Sequence, residues 1–329
     1  MQQVLITGGA GFIGSHLVDA LLASGHEVTV LDDLSVGTLR NLERHLDSPR
    51  LRFVEGSVLN ADLVGRLTRQ VDAVYHLAAV VGVKYVVENP LRGIQVNVRG
   101  TETVLEAARG RGIRVLVASS SEVYGKSTQL PFREDDPTVL GATSVSRWSY
   151  AVSKLLDEHL AFAYYRQASL PTVAVRYFNA YGPRLDPRGY GSVVARFITQ
   201  ALRGEPITVY GDGLQTRSFT FVEDTVRGTK AAMEADNGLG LAYNIGNAGE
   251  ITIAALAEQV RDLTGADSDV VHISYNQAYG PGFEETRRRL PDVTRAREML
   301  GFEASVPLEE GLCRTIQWFK EHGDDFVSA

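Results

Sequence analysis

A single cysteine, Cys313, rules out a disulfide within the chain and leaves a thiolate metal site without ligands. It reads as a small apolar filler in the last helix. Long apolar runs are missing too, so no segment is expected to span a membrane. Basic residues are outnumbered: 33 Lys and Arg against 40 Asp and Glu give a net charge of -7 and a pI near 5.6. With no dense Lys/Arg stripe, a nucleic-acid partner is excluded. Arg287-Arg288-Arg289 is the one basic cluster. Among the histidines, His16, His26 and His272 lack metal-ligand spacing, and no metal is expected. There is no internal repeat and no low-complexity segment. The chain enters a strand almost at once, which leaves no room for a signal peptide and points to the cytoplasm.

What is present is the composition of a folded enzyme: 329 residues, 44% hydrophobic and 22% charged. Apolar runs of strand length alternate with helical patterns through the first half. Val4 to Ile6 is followed by a helix from about Phe12 to Ser24. Val28 to Leu31, Leu51 to Val54, Ala73 to His76, Val115 to Ala118 and Thr172 to Val175 continue the series, with helices expected over Gly93 to Arg109 and Arg147 to Arg166. Such alternation predicts parallel strands joined by right-handed crossovers, hence an α/β, Rossmann-like doubly wound sheet. Residues 1–176 are expected to form this domain, with 220–246 returning to it. Residues 177–219 and 247–329, richer in Gly, Pro and Arg, are expected to form a smaller substrate lobe.

Between the first strand and first helix stands Thr7-Gly8-Gly9-Ala10-Gly11-Phe12-Ile13-Gly14. Gly8 permits the tight turn, Gly11 lets a pyrophosphate approach the backbone, and Gly14 lets helix pack on strand. The helix N-terminus beyond, at Phe12 and Ile13, offers N–H groups to phosphate. Asp32 closes the second strand. A carboxylate there accepts bonds from ribose hydroxyls and repels a 2′-phosphate, and Asp33 adds to the repulsion. With no Arg over residues 34–36, NAD is favoured over NADP.

Farther along, Ser119-Ser120-Ser121-Glu122-Val123-Tyr124-Gly125 precedes Tyr150-Ala151-Val152-Ser153-Lys154. A hydroxyl, a phenol and an ammonium suffice to take a proton from a sugar hydroxyl while a hydride leaves the same carbon. Tyr150 and Lys154 stand four apart and share a helix face. A free phenol has a pKa of about 10 and is a poor base. The neighbouring ammonium is expected to lower it. Glu122 adds a carboxylate that simple alcohol oxidation does not need.

These residues resemble the extended short-chain dehydrogenase/reductase family, in particular its NAD-dependent nucleotide-sugar epimerases, dehydratases and decarboxylases. The resemblance covers nearly the whole chain. It takes in the glycine turn, His76-Leu77-Ala78-Ala79, Asn97, Ser119 to Gly125, Tyr150 and Lys154, Arg176 to Arg184, Val209 to Gly213 and Gln215 to Arg217. It implies that Leu77, Ala78, Ala79 and Asn97 lie at the cofactor and that Lys154 holds the nicotinamide ribose. It also implies that Ser120 orients the reacting hydroxyl, and that Asn179, Tyr210, Gln215 and Arg217 clamp a UDP-sugar, with Tyr85 and Lys84 near the sugar. Ser57 departs from the pattern, standing where relatives carry an Asp near the adenine. Ser120-Ser121-Glu122 is closest to the dehydratases and decarboxylases, Arg147-Trp148-Ser149-Tyr150 is similar to the segment before the catalytic Tyr of a decarboxylase, and Arg289-Leu290-Pro291-Asp292 is similar to a decarboxylase segment whose Arg reaches the site.

The expectation is therefore a UDP-glucuronate decarboxylase yielding UDP-4-keto-xylose, UDP-xylose or both, in which Ser121, Glu122 and Arg289 handle the carboxylate. A UDP-sugar 4-epimerase or a 4,6-dehydratase is the alternative, and a cofactor-bound scaffold is a third, disfavoured by the intact Ser–Tyr–Lys set. The helices Gly93–Arg109 and Arg147–Arg166 are expected to pair in a homodimer through Val96, Val104, Ala107, Leu155, Leu160 and Ala163.

Overall fold

A computed structural model describes residues 1–82, 85, 88–186, 192–279 and 284–322. Its main sheet is built from β1 (Gln3–Thr7), β2 (Glu27–Asp32), β3 (Leu51–Glu55), β4 (Ala73–His76), β5 (Arg114–Ser120) and β6 (Thr172–Tyr177). The short strands β7 (Ala180–Tyr181), β8 (Ile207–Tyr210), β9 (Thr216–Arg217) and β10 (Thr220–Phe221) follow. β11 (Ala242–Ile245) then returns to the edge of the main sheet. Its order is β11-β6-β5-β4-β1-β2-β3, every pair parallel. The order reverses between β1 and β4, so a crevice opens there at the carboxyl ends of the strands.

Strand alternation divides the side chains between two helical layers. Val4 and Ile6 enter one core with Leu17, Val18 and Leu21 of α1 (Phe12–Ala23). Leu5, Val115 and Val117 enter the other, with Val64 and Leu67 of α2 (Ala61–Thr68). The same core takes Val104 and Leu105, which belong to a helix running through α3 (Pro90–Ile94), a π-helical stretch (Gln95–Arg99) and α4 (Gly100–Ala108). Ala161 of α5 (Trp148–Ala168) completes that layer. Strands covered on both faces must be apolar throughout, which explains their unbroken Val/Ile/Leu runs.

A third core lies outside the sheet. Phe197 and Ile198 of α6 (Val193–Leu202) pack with Ile207 and Val209 of β8. After α7 (Val222–Glu234) and β12 (Ile251–Thr252), α8 (Ile253–Thr264) adds Leu256 and Val260. β13 (Val270–Ile273) pairs with β8, and α9 (Tyr275–Tyr279) and β14 (Arg288–Arg289) follow. α10 (Thr294–Leu300) precedes α11 (Leu308–His322), whose Leu312 and Ile316 close this core.

Three sequence expectations need correction. Ala296 and Phe302 join the core of the main sheet rather than the lobe, because residues 294–304 pack on α7 and β11. Val104 is fully buried, and Val96, Ala107, Leu160 and Leu155 pack against buried clusters, so those faces of the paired helices turn inward. The apolar side chains left exposed on α3 and α5 include Leu91 (67%), Ile94, Val152 (47%) and Leu156, with Tyr165 farther along α5. Cys313 is exposed on α11 rather than buried.

Behind the crevice a buried polar network ties β5, β6, β11 and α5 together. Arg176 donates to both oxygens of Glu158 at 2.8 and 2.7 Å, and to the Tyr124 hydroxyl at 2.9 Å. Tyr124 donates in turn to Asn244 Oδ1, and Ser119 donates to Glu158. Removing one partner strands a buried charge. Arg176→Leu is expected to lose about 3–5 kcal/mol in chemical denaturation; a loss below about 1 kcal/mol would show that the pair does not hold the strands.

Candidate active site

The glycine turn is shaped by what cannot fit. Gly8 has φ +75°, and a Cβ there would lie 2.7 Å from the Ala78 nitrogen. A Cβ on Gly14 would lie 2.1 Å from the Gly8 oxygen. The turn is thus pressed against Leu77 to Ala79, and α1 begins just after Gly11. Together Gly8, Gly11, Phe12, Ile13, Gly14 and the loop 77–79 border one end of a cavity of about 790 Å³.

Asp32 and Asp33 border the same end. Asp32 accepts from the Ala10 nitrogen at 3.0 Å and the Leu34 nitrogen at 2.9 Å, so it braces the phosphate turn as well as facing the cavity. Burial pushes its carboxyl up, and those two backbone bonds pull it back. Asp33 accepts from the Ser35 nitrogen and hydroxyl. Arg40 also borders the cavity. Asn97 does not, contrary to expectation. It is buried behind the wall, where it accepts from the Val80 nitrogen at 2.7 Å and donates to Ser153 at 3.0 Å. It shapes the cofactor loop through these bonds.

β5 delivers the candidate hydroxyls. Ser120 ends the strand and caps the turn Ser121–Tyr124, its Oγ accepting from the Glu122 nitrogen at 3.2 Å. The same hydroxyl meets the Tyr150 phenol. Tyr150 and Lys154 reach the cavity from α5, and Lys154 Nζ donates to Asp157 at 3.0 Å. The phenol is not lowered as the sequence led us to expect. Burial pushes it up, Lys154 pulls it down, and Glu122 pushes it up again, leaving it above its ordinary value. Nearby His76 is held neutral, near 3, by burial and by Lys154. Its ring nitrogens meet Thr7 and Thr101.

β14 settles which arginine of the triplet turns inward. It pairs in parallel with β9, Arg289 opposite Arg217, and alternation sends both into the cavity wall. Arg288 points out to Glu250, and Arg287 to Asp212. Arg289 meets Glu122 at 3.0 Å, and Arg147 meets its other oxygen at 3.6 Å. Glu285 receives Arg217 at 2.7 Å and Arg147 at 3.4 Å. Three buried guanidinium groups thus face two half-buried carboxylates beside Ser120, Ser121 and Tyr150. Burial alone would raise Glu122, but Arg289, Arg147 and Arg217 outweigh it and hold the carboxyl at about 2. Burial and Arg289 bring Arg217 down to about 10. Glu285 escaped the sequence reading, and Arg147 entered it only as part of the segment before Tyr150, since nothing in their spacing points to Glu122.

At the far end Asn179 sits at φ +30°, and its Oδ1 is buried with no hydrogen-bond partner among the described residues. The same holds for Gln215 Oε1, while Gln215 Nε2 donates to the Tyr210 carbonyl at 2.9 Å. The Arg196 guanidinium lies 3.8 Å from the centre of the Tyr210 ring, which also meets the edge of Tyr279. Arg196 was not foreseen. Buried acceptors left unpaired in a cavity wall await a donor, as a ligand bearing N–H or hydroxyl groups would supply. Tyr85 is half-buried and does not border the cavity, and Lys84 lies outside the described residues.

The cofactor end yields one prediction. Asp32→Ala is expected to weaken NAD binding and narrow the preference over NADP, read by titration of each cofactor. Equal affinity of the unmodified protein for both would remove the role given to Asp32.

Comparison with known proteins agrees with this geometry. The NAD dependent epimerase/dehydratase family matches residues 4–246. The chain is 44% identical over 324 residues to a UDP-N-acetyl-alpha-D-glucosaminuronate decarboxylase of Bacillus cytotoxicus, covering 98% of this chain and 99% of the relative. It is 38% identical to UDP-glucuronic acid decarboxylase 1 of Xenopus tropicalis, covering 97% of this chain and 72% of the relative. A solved UDP-glucuronic acid 4-epimerase from Bacillus cereus, in complex with UDP-glucuronic acid and NAD, superposes with a TM-score of 0.87 at 31% identity, covering 97% and 99%. NAD fits the turn described above, which leaves no room for a side chain at Gly8 or Gly14 and ends at Asp32. The chain belongs to the NAD dependent epimerase/dehydratase family.

Proposed function

We propose that the protein decarboxylates a UDP-hexuronate, UDP-glucuronate in the first instance, through a 4-keto sugar. The observation that carries this reading is the surplus of buried guanidinium at Glu122, where Arg289 and Arg147 both meet one carboxylate next to the Ser120–Tyr150 pair. An uncharged hexose needs no such surplus, whereas a hexuronate brings a carboxylate that must be desolvated and held. Ser121 borders this region and, with Arg289 and Arg147, orients that carboxylate.

Bound NAD supplies a hydride acceptor for C4 of the sugar. Ser120 orients the C4 hydroxyl and Tyr150 takes its proton, with Lys154 stabilising the phenolate. Once C4 is a ketone, the carboxylate lies β to it, and breaking the carbon–carbon bond leaves an enolate rather than a bare carbanion. Arg289 and Arg147 place positive charge beside the carboxylate as the bond breaks. Glu122, ionised in the resting site, keeps those guanidiniums in place beside the carboxylate, and the enolate left by CO₂ release is quenched at C5 by a proton from water. Asn179, Gln215, Tyr210 and Arg196 suit the nucleotide end, and Arg217 the diphosphate.

A second reading concerns the substituent at C2, since the relative at 44% identity is named for a UDP-N-acetylated hexuronate. Incubation with UDP-glucuronate and with its 2-acetamido counterpart, followed by product mass, separates the two. Loss of CO₂ from either supports decarboxylation, and no change of mass with UDP-galacturonate formed would give the site to epimerisation.

Two variants separate the steps. Tyr150→Phe removes the base, so oxidation and CO₂ release should fall together by roughly two or more orders of magnitude. Glu122→Gln keeps the shape but not the charge, so in a single turnover NADH formation should survive better than CO₂ evolution. Unchanged CO₂ evolution would reduce Glu122 to a structural part.

The two-lobe division and a homodimer belong to the same proposal. Leu91, Ile94, Val152 and Leu156 form an exposed apolar face on α3 and α5. Sedimentation is expected to give a dimer that Leu156→Glu weakens; a stable monomer at micromolar concentration contradicts it.

A further inference from the structure

We infer that Asp157 is a positioning residue for the catalytic pair, its carboxylate holding the Lys154 ammonium in place behind Tyr150. This rests on the roles just given to Tyr150 and Lys154 and extends them by one residue along α5. Tyr150, Lys154 and Asp157 recur at i, i+4 and i+7, which stacks them on one helix face. Lys154 Nζ donates to Asp157 Oδ2 at 3.0 Å, and their side chains are 3% and 0% exposed. A buried ammonium with no carboxylate beside it gives up its proton readily. A neutral Lys154 could no longer stabilise the Tyr150 phenolate.

No other charged neighbour takes this part. Glu158 is adjacent, but both its oxygens are engaged by Arg176 of β6. His76 of β4 faces Lys154 as a neutral ring bonded to Thr7 and Thr101. Thr101, from α4, also supports Asp157. Glu122 faces Tyr150 from the turn after β5 and is held by Arg289 and Arg147. Asp157 is thus the carboxylate that meets the ammonium directly among the described residues.

Asp157→Asn removes the charge and keeps the shape, with two consequences of one sign. Lys154, left without a counter-ion, loses its proton at lower pH, so the basic limb of the rate profile moves down. Where Lys154 is still charged, Tyr150 has lost a negative neighbour, so the acid limb moves down as well. A merely structural aspartate would instead lower the rate by the same factor at every pH.

The test follows NADH formation in a single turnover with UDP-glucuronate across pH, for the unmodified protein, Asp157→Asn and Asp157→Glu. The optimum of the Asn variant should fall by at least about one unit, and the Glu variant, which retains the charge, should keep the original optimum even at a lower rate. Lysine-labelled NMR of the cofactor-free protein gives a second readout. Among the five lysines, the Lys154 signal, assigned with Lys154→Met, should titrate at lower pH in Asp157→Asn. Superimposable profiles, a uniform loss at all pH, or an unmoved Lys154 titration would overturn the inference. If the Asn variant does not fold, a shifted optimum in Asp157→Glu overturns it on its own. Failure of the unmodified protein to form NADH with any UDP-sugar would instead strike the catalytic reading.

Discussion

The Glu122 carboxylate, gripped by Arg289 on one oxygen and Arg147 on the other, is the interaction on which the site depends. It joins three stretches far apart in sequence: the turn after β5, the foot of α5 and the strand β14. Two arise on the sheet and one in the outlying strands, so this cluster fastens one part of the molecule to the other at the candidate site. Its arginines are buried, and a buried charge deprived of its partner is strongly destabilising. The charge needed for handling a carboxylate is therefore also the charge that keeps the site assembled.

The cavity is electrostatically divided. At the cofactor end the cavity is bordered by the glycine turn and the start of α1, with Asp32 and Asp33 beside them. No excess of side-chain cation is needed there, since N–H groups and the helix dipole supply the positive field. At the other end the field comes from Arg147, Arg217, Arg289 and Arg196. Tyr150 lies between the two and, in the protein alone, is held above its ordinary value by burial and by Glu122. The phenol is thus a weaker acid at rest than its lysine neighbour suggests, and any further positive charge brought beside it favours the phenolate.

What the sequence made legible was whatever depends on near neighbours. The glycine turn, the end of β2 at Asp32 and the Tyr150–Lys154 pair are fixed by spacings of a few residues, and the strands of the main sheet by short apolar runs. The rest depends on pairing across long separations. Arg147 and Glu285 acquire their meaning from Glu122 and Arg217, and only the β9–β14 register distinguishes Arg289 from Arg288. Asn97 had the right place in the motif but points behind the cofactor wall at Val80. Helix faces misled for a related reason. Val104 and Leu155 satisfy a pattern that the sheet and the turn after β5 already bury, while the outward residues Val152 and Leu156 look no different in sequence.

The central claim is that oxidation at C4, prepared by Ser120 and Tyr150, comes before the carbon–carbon bond can break beside Arg289 and Arg147. A UDP-glucuronate analogue carrying fluorine in place of the C4 hydroxyl keeps the carboxylate and the nucleotide but has no proton for Tyr150 to take. Measured with the NAD-loaded protein, it should compete with UDP-glucuronate for binding and release no CO₂. CO₂ evolution from the analogue at a rate comparable to that from UDP-glucuronate would contradict the account.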